Sequence, residues 1–262
     1  MKRILLLVAL LAVPGVVPLL TAQQAPLPSP LVSGQAASVV IGQKSYSDIT
    51  FGNTPERWGA ISGMAIAGNR LIVADSSYLA PPNNNRILIY NDLAALKRRL
   101  PQDELLNADI VLGQDRPDTT TPGTSATRMN QPVGVATDGT RLFVAEWGNN
   151  RVLVYNRIPT AEGVPADVVI GQSNFTSSGF GTGQASLRRP NSVASDGRRV
   201  LIADTLNNRV LIYNSIPTQN GANADVVLGQ ANFTAFGRSP AAANTLYDPM
   251  SVTTDGQRLI VT

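Results

Sequence analysis

A chain of 262 residues without a single histidine or cysteine cannot supply imidazole or thiolate to a zinc site, assemble a Ser-His-Asp relay or form a disulfide framework, and it has no cysteine to carry a lipid. Its net charge of +3 comes from 21 basic and 18 acidic residues, and removal of Lys2 and Arg3 with a leader leaves 19 against 18. So slight an excess is no basic footprint, and nucleic acid is not an expected partner.

The chain starts with "MKRILLLVALLAVPGVVPLLTA", a basic start, an apolar centre and a small-residue exit, which reads as a secretory signal over 1–22. A membrane anchor is the weaker reading, because Pro14, Gly15 and Pro18 interrupt a span at the short limit for crossing a bilayer. A Pro-rich linker follows over 23–37. The expected destination is a periplasm or the extracellular space, by bacterial export, with no stable membrane insertion after cleavage.

From residue 38 onward the chain repeats itself. "SVVIGQ" (38–43) is followed by "DIVLGQ" (109–114), "DVVIGQ" (167–172) and "DVVLGQ" (225–230), the last three spaced by 58 residues. Between them stand "NNRILIYN" (84–91), "NNRVLVYN" (149–156) and "NNRVLIYN" (207–214). The first interval, 71 from Gly42 to Gly113, contains two insertions, six residues around "SSYLAPPN" and seven within "DLAALKRRLPQDELLN". Motifs that return with their neighbours at a fixed period indicate a repeat architecture.

Each unit contains four short runs rich in Val, Ile, Leu, Phe and Tyr, bounded by Gly, Asn, Asp or Pro, and therefore four strands. In the third unit these are 191–195, 199–204, 209–214 and 225–230. The first two are separated by Asp-Gly, which recurs at 138–139, 196–197 and 255–256 and predicts two-residue hairpins with positive φ at both turn positions. Only "LAALKRRL" (93–100) has helical character. The fold class is all-β: a β-propeller of four-stranded antiparallel blades at about 61–114, 133–172 and 192–230, with a partial blade at 250–262. Because "DGQRLIVT" (255–262) stops partway through the pattern of "DGRRVLIAD" (196–204), the chain is expected to be the amino-terminal part of a longer one, its last blade completed by the strand at 38–43.

The "AD..NNRVLIYN" pattern (203–214) resembles the core of the NHL repeat, and the resemblance covers roughly Val39 to Thr262. It implies a propeller, six-bladed in the best-known members, that serves as a platform for protein, RNA or ligand, with a minority of lyases and hydrolases. The family's amidating lyase, which cleaves peptidyl hydroxyglycine, holds a metal through His, and those ligands are missing here.

Within the repeat, Asn85, Asn150 and Asn208 suit a tight corner, since Asn tolerates the left-handed region and its amide bonds nearby backbone. The Arg that follows each one can pair with the acid ending the preceding strand: Arg86 with Asp75, Arg151 with Glu146, Arg209 with Asp204. This reads as repeat scaffolding, and for a partly buried pair Arg209→Ala is expected to cost on the order of 1 kcal/mol or somewhat more. The cofactor is not specified by the sequence, but a calcium ion in the central channel needs only oxygen ligands, and Asp75, Glu146 and Asp204 are its candidate donors, though their Arg neighbours argue for ion pairs.

The segments linking one blade to the next are long: Gln43 to Ile61, Gln114 to Pro132 and Gln172 to Pro190 are each 18 positions, and Gln230 to Pro249 is 19. Such loops are uncommon unless functional or disordered, and their polar, Gly- and Ser-rich character suits an adaptable binding face. Its candidate contacts are Trp58, Arg128, Phe175, Phe180, Arg188, Phe233 and Phe236, with the two "NFT" phenylalanines, Phe175 and Phe233, better suited to packing against a neighbouring blade. Excision of 177–181 is expected to leave folding intact and to abolish partner capture. "KRR" (97–99) and "RR" (188–189) read as solvated surface, and "GFGTG" (179–183) leads from no strand into a helix, so it is no phosphate-binding fingerprint. The favoured function is a non-enzymatic secreted scaffold that binds a protein, peptide or glycan through these loops. The alternative is a propeller lyase or lactone hydrolase with a channel metal supplied partly by residues beyond 262.

Overall fold

The computed structural model describes residues 40–77, 82–96 and 105–262 except Tyr46 and Ser239, together with Ser33 and Leu79. The expected secretory signal, the linker apart from Ser33, the start of the 38–43 strand and the "KRR" run at 97–99 lie outside the described residues. The repeats fall within one compact unit, Val39–Thr262.

Three sheets of four antiparallel strands follow one another in chain order. The first contains β1 (Ile61–Ala67), β2 (Arg70–Asp75), β3 (Arg86–Tyr90) and β4 (Ile110–Leu112), with α1 (Leu93–Leu96) in the insertion between β3 and β4. The second contains β5 (Pro132–Thr137), β6 (Leu142–Glu146), β7 (Arg151–Tyr155) and β8 (Val168–Ile170). The third contains β9 (Pro190–Ser195), β10 (Val200–Asp204), β11 (Arg209–Tyr213) and β12 (Val226–Leu228), and the hairpin of β13 (Val252–Thr254) and β14 (Leu259–Val261) begins a fourth. Every sheet runs in simple order from inner to outer strand, which makes each one a propeller blade, three and a half among the described residues.

Packing explains why the middle strands are apolar without alternation. In β6, Leu142 and Val144 point toward blade 1, where they meet Ile72, Ala74, Ile87 and Ile89, while Phe143 and Ala145 point toward blade 3 and meet Val200, Ile202 and Leu211. A strand buried on both faces has no solvent side to make polar, so "LFVA" and "RVLV" are continuous runs. The stacking of blade on blade is the core of the protein, and blade 2 is its most enclosed layer.

The inner strands come closest of all. β1 and β5 are bulged at the same place, between Ile61 and Gly63 and between Pro132 and Gly134. There an added Cβ on Gly63 would stand 2.7 Å from the carbonyl oxygen of Val133, and one on Gly134 would stand 2.6 Å from that of Asn191. Beside this line of contact the inner strands border an open cavity of about 560 Å³ lined by Ser62, Met64, Ile66, Thr137, Asn191 and Thr254 among others.

Three local expectations are corrected. The outer strands shrink to three residues each: the leading acids Asp109, Asp167 and Asp225 serve as caps, accepting from the backbone N–H of Asn91, Asn156 and Asn214 at 2.7 Å, and a glycine with φ near 90° turns the chain out after the third residue. Residues 40–43 are no strand, although Gly42 has the same turned-out backbone. The Asp-Gly hairpins are not two-residue turns with positive φ throughout. Only the glycine is left-handed, and Asp138, Asp196 and Asp255 instead accept from the N–H groups two and three residues on.

Since the Gly134 Cβ would collide with backbone, Gly134→Ala is expected to lower stability by about 1–3 kcal/mol, as overpacking does. Chemical denaturation measures this, and an unchanged midpoint would show that the inner strands separate freely.

Candidate functional site

The strongest polar constellation is the corner where the second strand of each blade turns into the third. In blade 3, Asp204 closes β10 and Arg209 opens β11, directly opposite each other in the register. Both are fully buried. One oxygen of Asp204 accepts from the backbone N–H of Arg188 (2.6 Å), and the other accepts from the Asn207 amide (2.8 Å) and Arg209 Nε (2.7 Å). Blade 1 repeats this with Asp75, Gly59, Asn84 and Arg86; blade 2 uses the same set, Glu146, Asn130, Asn149 and Arg151, but there the Asn149 amide shares the oxygen that accepts from the Asn130 N–H.

The guanidinium then reaches outward to backbone carbonyls of two different loops. Arg209 donates to Thr182, Gly183 and Ser186 in the loop before its blade and to Phe233 in the loop after it. Arg86 donates to Asn53, Thr54 and Arg57 on one side and Pro117 on the other, and Arg151 to Ser125 and Arg128 on one side and Phe175 on the other.

Asn amides complete the clamp. Asn84, Asn149 and Asn207 donate to Gly52, Gly123 and Gly181 in the preceding loop. Asn85, Asn150 and Asn208, each left-handed at φ 53°, donate to Thr120, Ser178 and Phe236 in the following loop. Their amide oxygens accept from the N–H of Gln131, Arg189 and Asp248, just ahead of the prolines that lead into the next blade. Gln114, Gln172 and Gln230 then tie the corner carbonyl to Thr121, Gly179 and Gly237.

The carboxylates carry an electrostatic cost at these sites. Burial pushes Asp75 and Glu146 above their ordinary values against the opposing pull of their arginines, and it raises Asp204 to about 6 even with Arg209 beside it. Both oxygens of each carboxylate are already accepting, the three stand in three separate blades, and no group of three His, Cys, Asp or Glu suited to a metal occurs among the described residues. The corners therefore do not fit a calcium ion.

The expected contact residues divide into two sets. Trp58, Phe175 and Phe233 turn inward: the two phenylalanines pack against the inter-blade clusters, and Trp58 lies under Gly42 and donates from its indole N–H to the Tyr90 hydroxyl at 2.8 Å. They are mainly packing groups, each partly buried against the inter-blade clusters. Arg128 is drawn to Asp115. Phe180 (67% exposed) and Phe236 (49%) face solvent with Ile49, Phe51 and Tyr247, the last three overlooked in the sequence for want of a repeating pattern. Arg188 stacks over Phe180 with its guanidinium carbon 5.0 Å from the ring centre.

The loops are thus not an adaptable coil, and the expectation that excision of 177–181 leaves folding intact is corrected. That segment presents the carbonyls of Ser178, Gly179 and Gly181 to Asn150, Gln172 and Asn207, so its excision takes one acceptor from each of three buried amides and strips Asn150 of the acceptor in the following loop. The partly buried cost assigned to Arg209 is corrected as well. With the pair fully buried, Arg209→Ala is expected to cost about 3–5 kcal/mol, because it strands the Asp204 carboxylate; a loss near 1 kcal/mol would contradict the clamp. A second contrast separates the blades. Tyr155 and Tyr213 are buried with unpartnered hydroxyls, since Met129 and Leu187 stand where blade 1 has Trp58. Tyr90→Phe is expected to destabilise by about 1 kcal/mol and Tyr155→Phe by less than about 0.5 kcal/mol, as paired melting curves will show.

No family model and no curated protein matches the chain. Among solved structures it is similar to hydrazine synthase of Kuenenia stuttgartiensis (12% identity, TM-score 0.44, covering 82% of this chain and 44% of that one). It is also similar to a chain of a nidogen/laminin complex (18%, 0.43, 78% and 56%) and to one of the Polycomb repressive complex 2 of Chaetomium thermophilum (13%, 0.39, 78% and 37%). The chain spans about half or less of the length of the structures it matches. At this identity the likeness concerns fold alone, and the blade topology carries the propeller assignment without it.

Proposed function

We propose that this chain is an NHL-type propeller, exported from a bacterial cell, whose loop face binds a protein partner. The observation that carries the reading is the combination of a clamped loop backbone with exposed apolar side chains. Arg, Asn and Gln groups hold the loops at a dozen or more carbonyls, yet Ile49, Phe51, Phe180, Phe236 and Tyr247 project from those same loops into solvent. Exposed aromatics on a prearranged backbone lose little conformational freedom on association, and aromatic residues are enriched where partner proteins dock. The corners supply rigidity to the surface, and the aromatics supply contact.

The NHL assignment is supported by the corner itself, in which the residues of "AD..NNRVLIYN" each have a place: the acid, both asparagines and the arginine form one hydrogen-bonded set. Export is supported by the character of 1–22.

A photo-crosslinking amino acid at Phe180 or Phe236 is expected to trap a partner from the secreted fraction of the source cells. The same group at Thr140 or Gly197, on the hairpin face, is expected to trap none. Crosslinks confined to the hairpin positions would overturn the assignment of the loop face.

A further inference from the structure

The arginines of the inter-blade loops fall into two kinds. Arg57, Arg116, Arg128 and Arg238 each pair with an acid of their own loop, Asp48, Asp118, Asp115 and Asp248. Arg188 and Arg189 have no ion-pair partner among the described residues. The loop that carries them, 173–189, contains no Asp or Glu. The nearest buried charges bring no compensation, because Glu146 and Asp204 are already matched by Arg151 and Arg209.

These two cations are held in place from both ends. Their backbone is fixed by the corners, with the Arg188 N–H given to Asp204 and the Arg189 N–H to Asn150. Their guanidiniums rest on aromatic rings, Arg188 on Phe180 at 5.0 Å and Arg189 on Trp147 at 5.8 Å, and Arg189 also donates to the Trp147 carbonyl at 3.3 Å. A guanidinium stacked on a ring keeps its edge N–H groups available for a carboxylate and loses less freedom on pairing than a solvated side chain.

We infer that Arg188 and Arg189 form a docking site for an acidic peptide segment of a partner protein, with two carboxylates received separately and an apolar side chain lodged against Phe180. The two guanidiniums rest on different rings, Phe180 and Trp147, so each receives its own carboxylate. The exposed face of Phe180 supplies the apolar neighbour. The inference rests on the loop face being the binding surface and names the chemistry recognised there.

Blade 2 provides a conservative test variant. Asn130 and Gln131 occupy the positions of Arg188 and Arg189, give their N–H groups to Glu146 and Asn85 in the same way, and Gln131 has a φ of 48° against 54° for Arg189. Arg188→Asn with Arg189→Gln therefore removes both charges while keeping a pair that this fold already accommodates, and Arg188→Gln alone serves as a milder second variant.

The probe is a short fluorescein-labelled peptide alternating Glu with Leu and Phe, compared with its Gln counterpart and with oligogalacturonate, by fluorescence anisotropy and amide hydrogen exchange. The Glu peptide is expected to bind the unmodified protein, to weaken as salt is raised and to protect amides within 173–189. The double variant is expected to bind it about tenfold less tightly, as for two partly exposed ion pairs, and Arg116→Gln to bind it as before. Equal binding by the double variant, equal binding of the Gln peptide, preference for oligogalacturonate or no binding of the Glu peptide would each overturn the site. Peptide that still protects other loop amides in the double variant leaves the loop face standing without this site, whereas protection confined to the hairpin face overturns both.

Discussion

A fully buried arginine at the start of each third strand is the interaction on which the rest of this propeller depends. Its guanidinium has five donors in a fixed plane. At the corner of blade 3 these are divided between one carboxylate and the carbonyls of two loops, so that strand, preceding loop and following loop share one rigid centre. An isolated buried ion pair is weak evidence for stability, since desolvation offsets much of the attraction. Here the charges are embedded in an extended hydrogen-bonded network that satisfies both carboxylate oxygens and the guanidinium, and whose effect is to specify one arrangement of loops that have no secondary structure of their own.

That arrangement also links neighbouring blades. The apolar stacking of β6 between β2 and β10 is non-directional and would tolerate small slides of one sheet over another. The amide oxygens of Asn85, Asn150 and Asn208, each held by the first backbone N–H of the next blade's approach, remove that freedom. Hydrophobic burial thus holds the blades together, and the polar corners set their register. The surface that results is stiff in its backbone and varied in its side chains, which suits recognition more than it suits a mobile gate.

Much of this was legible in the sequence. Recurrence at a 58-residue period identified the blades, the apolar runs bounded by turn residues marked the strands, and the Asp/Glu and Arg pairs followed from their constant placement. What escaped was geometric. "DVVLGQ" gave no sign that its Asp is a cap and its Gln a strut, because recurrence alone does not tell a strand residue from a residue that ends one. The loops looked adaptable because their own composition is Gly- and Ser-rich, whereas their order comes from donors about 25 residues away in sequence. The inward turn of Trp58 likewise depends on a tyrosine in another strand.

The reach of each corner also bears on how such a chain changes over generations. Every bond made by Arg151, Asn149, Asn150 and Gln172 ends within its own blade, in the loop on either side of it or at the first residues of the next blade. Duplication or loss of a whole 58-residue unit therefore gives each remaining corner a loop before it and a loop after it, with equivalent carbonyls in place. A cut or insertion that falls between a corner and its carbonyls leaves a buried cation without its acceptors. The unit of inheritance in this architecture is thus the complete blade with its loop, and blade number is the trait most easily altered.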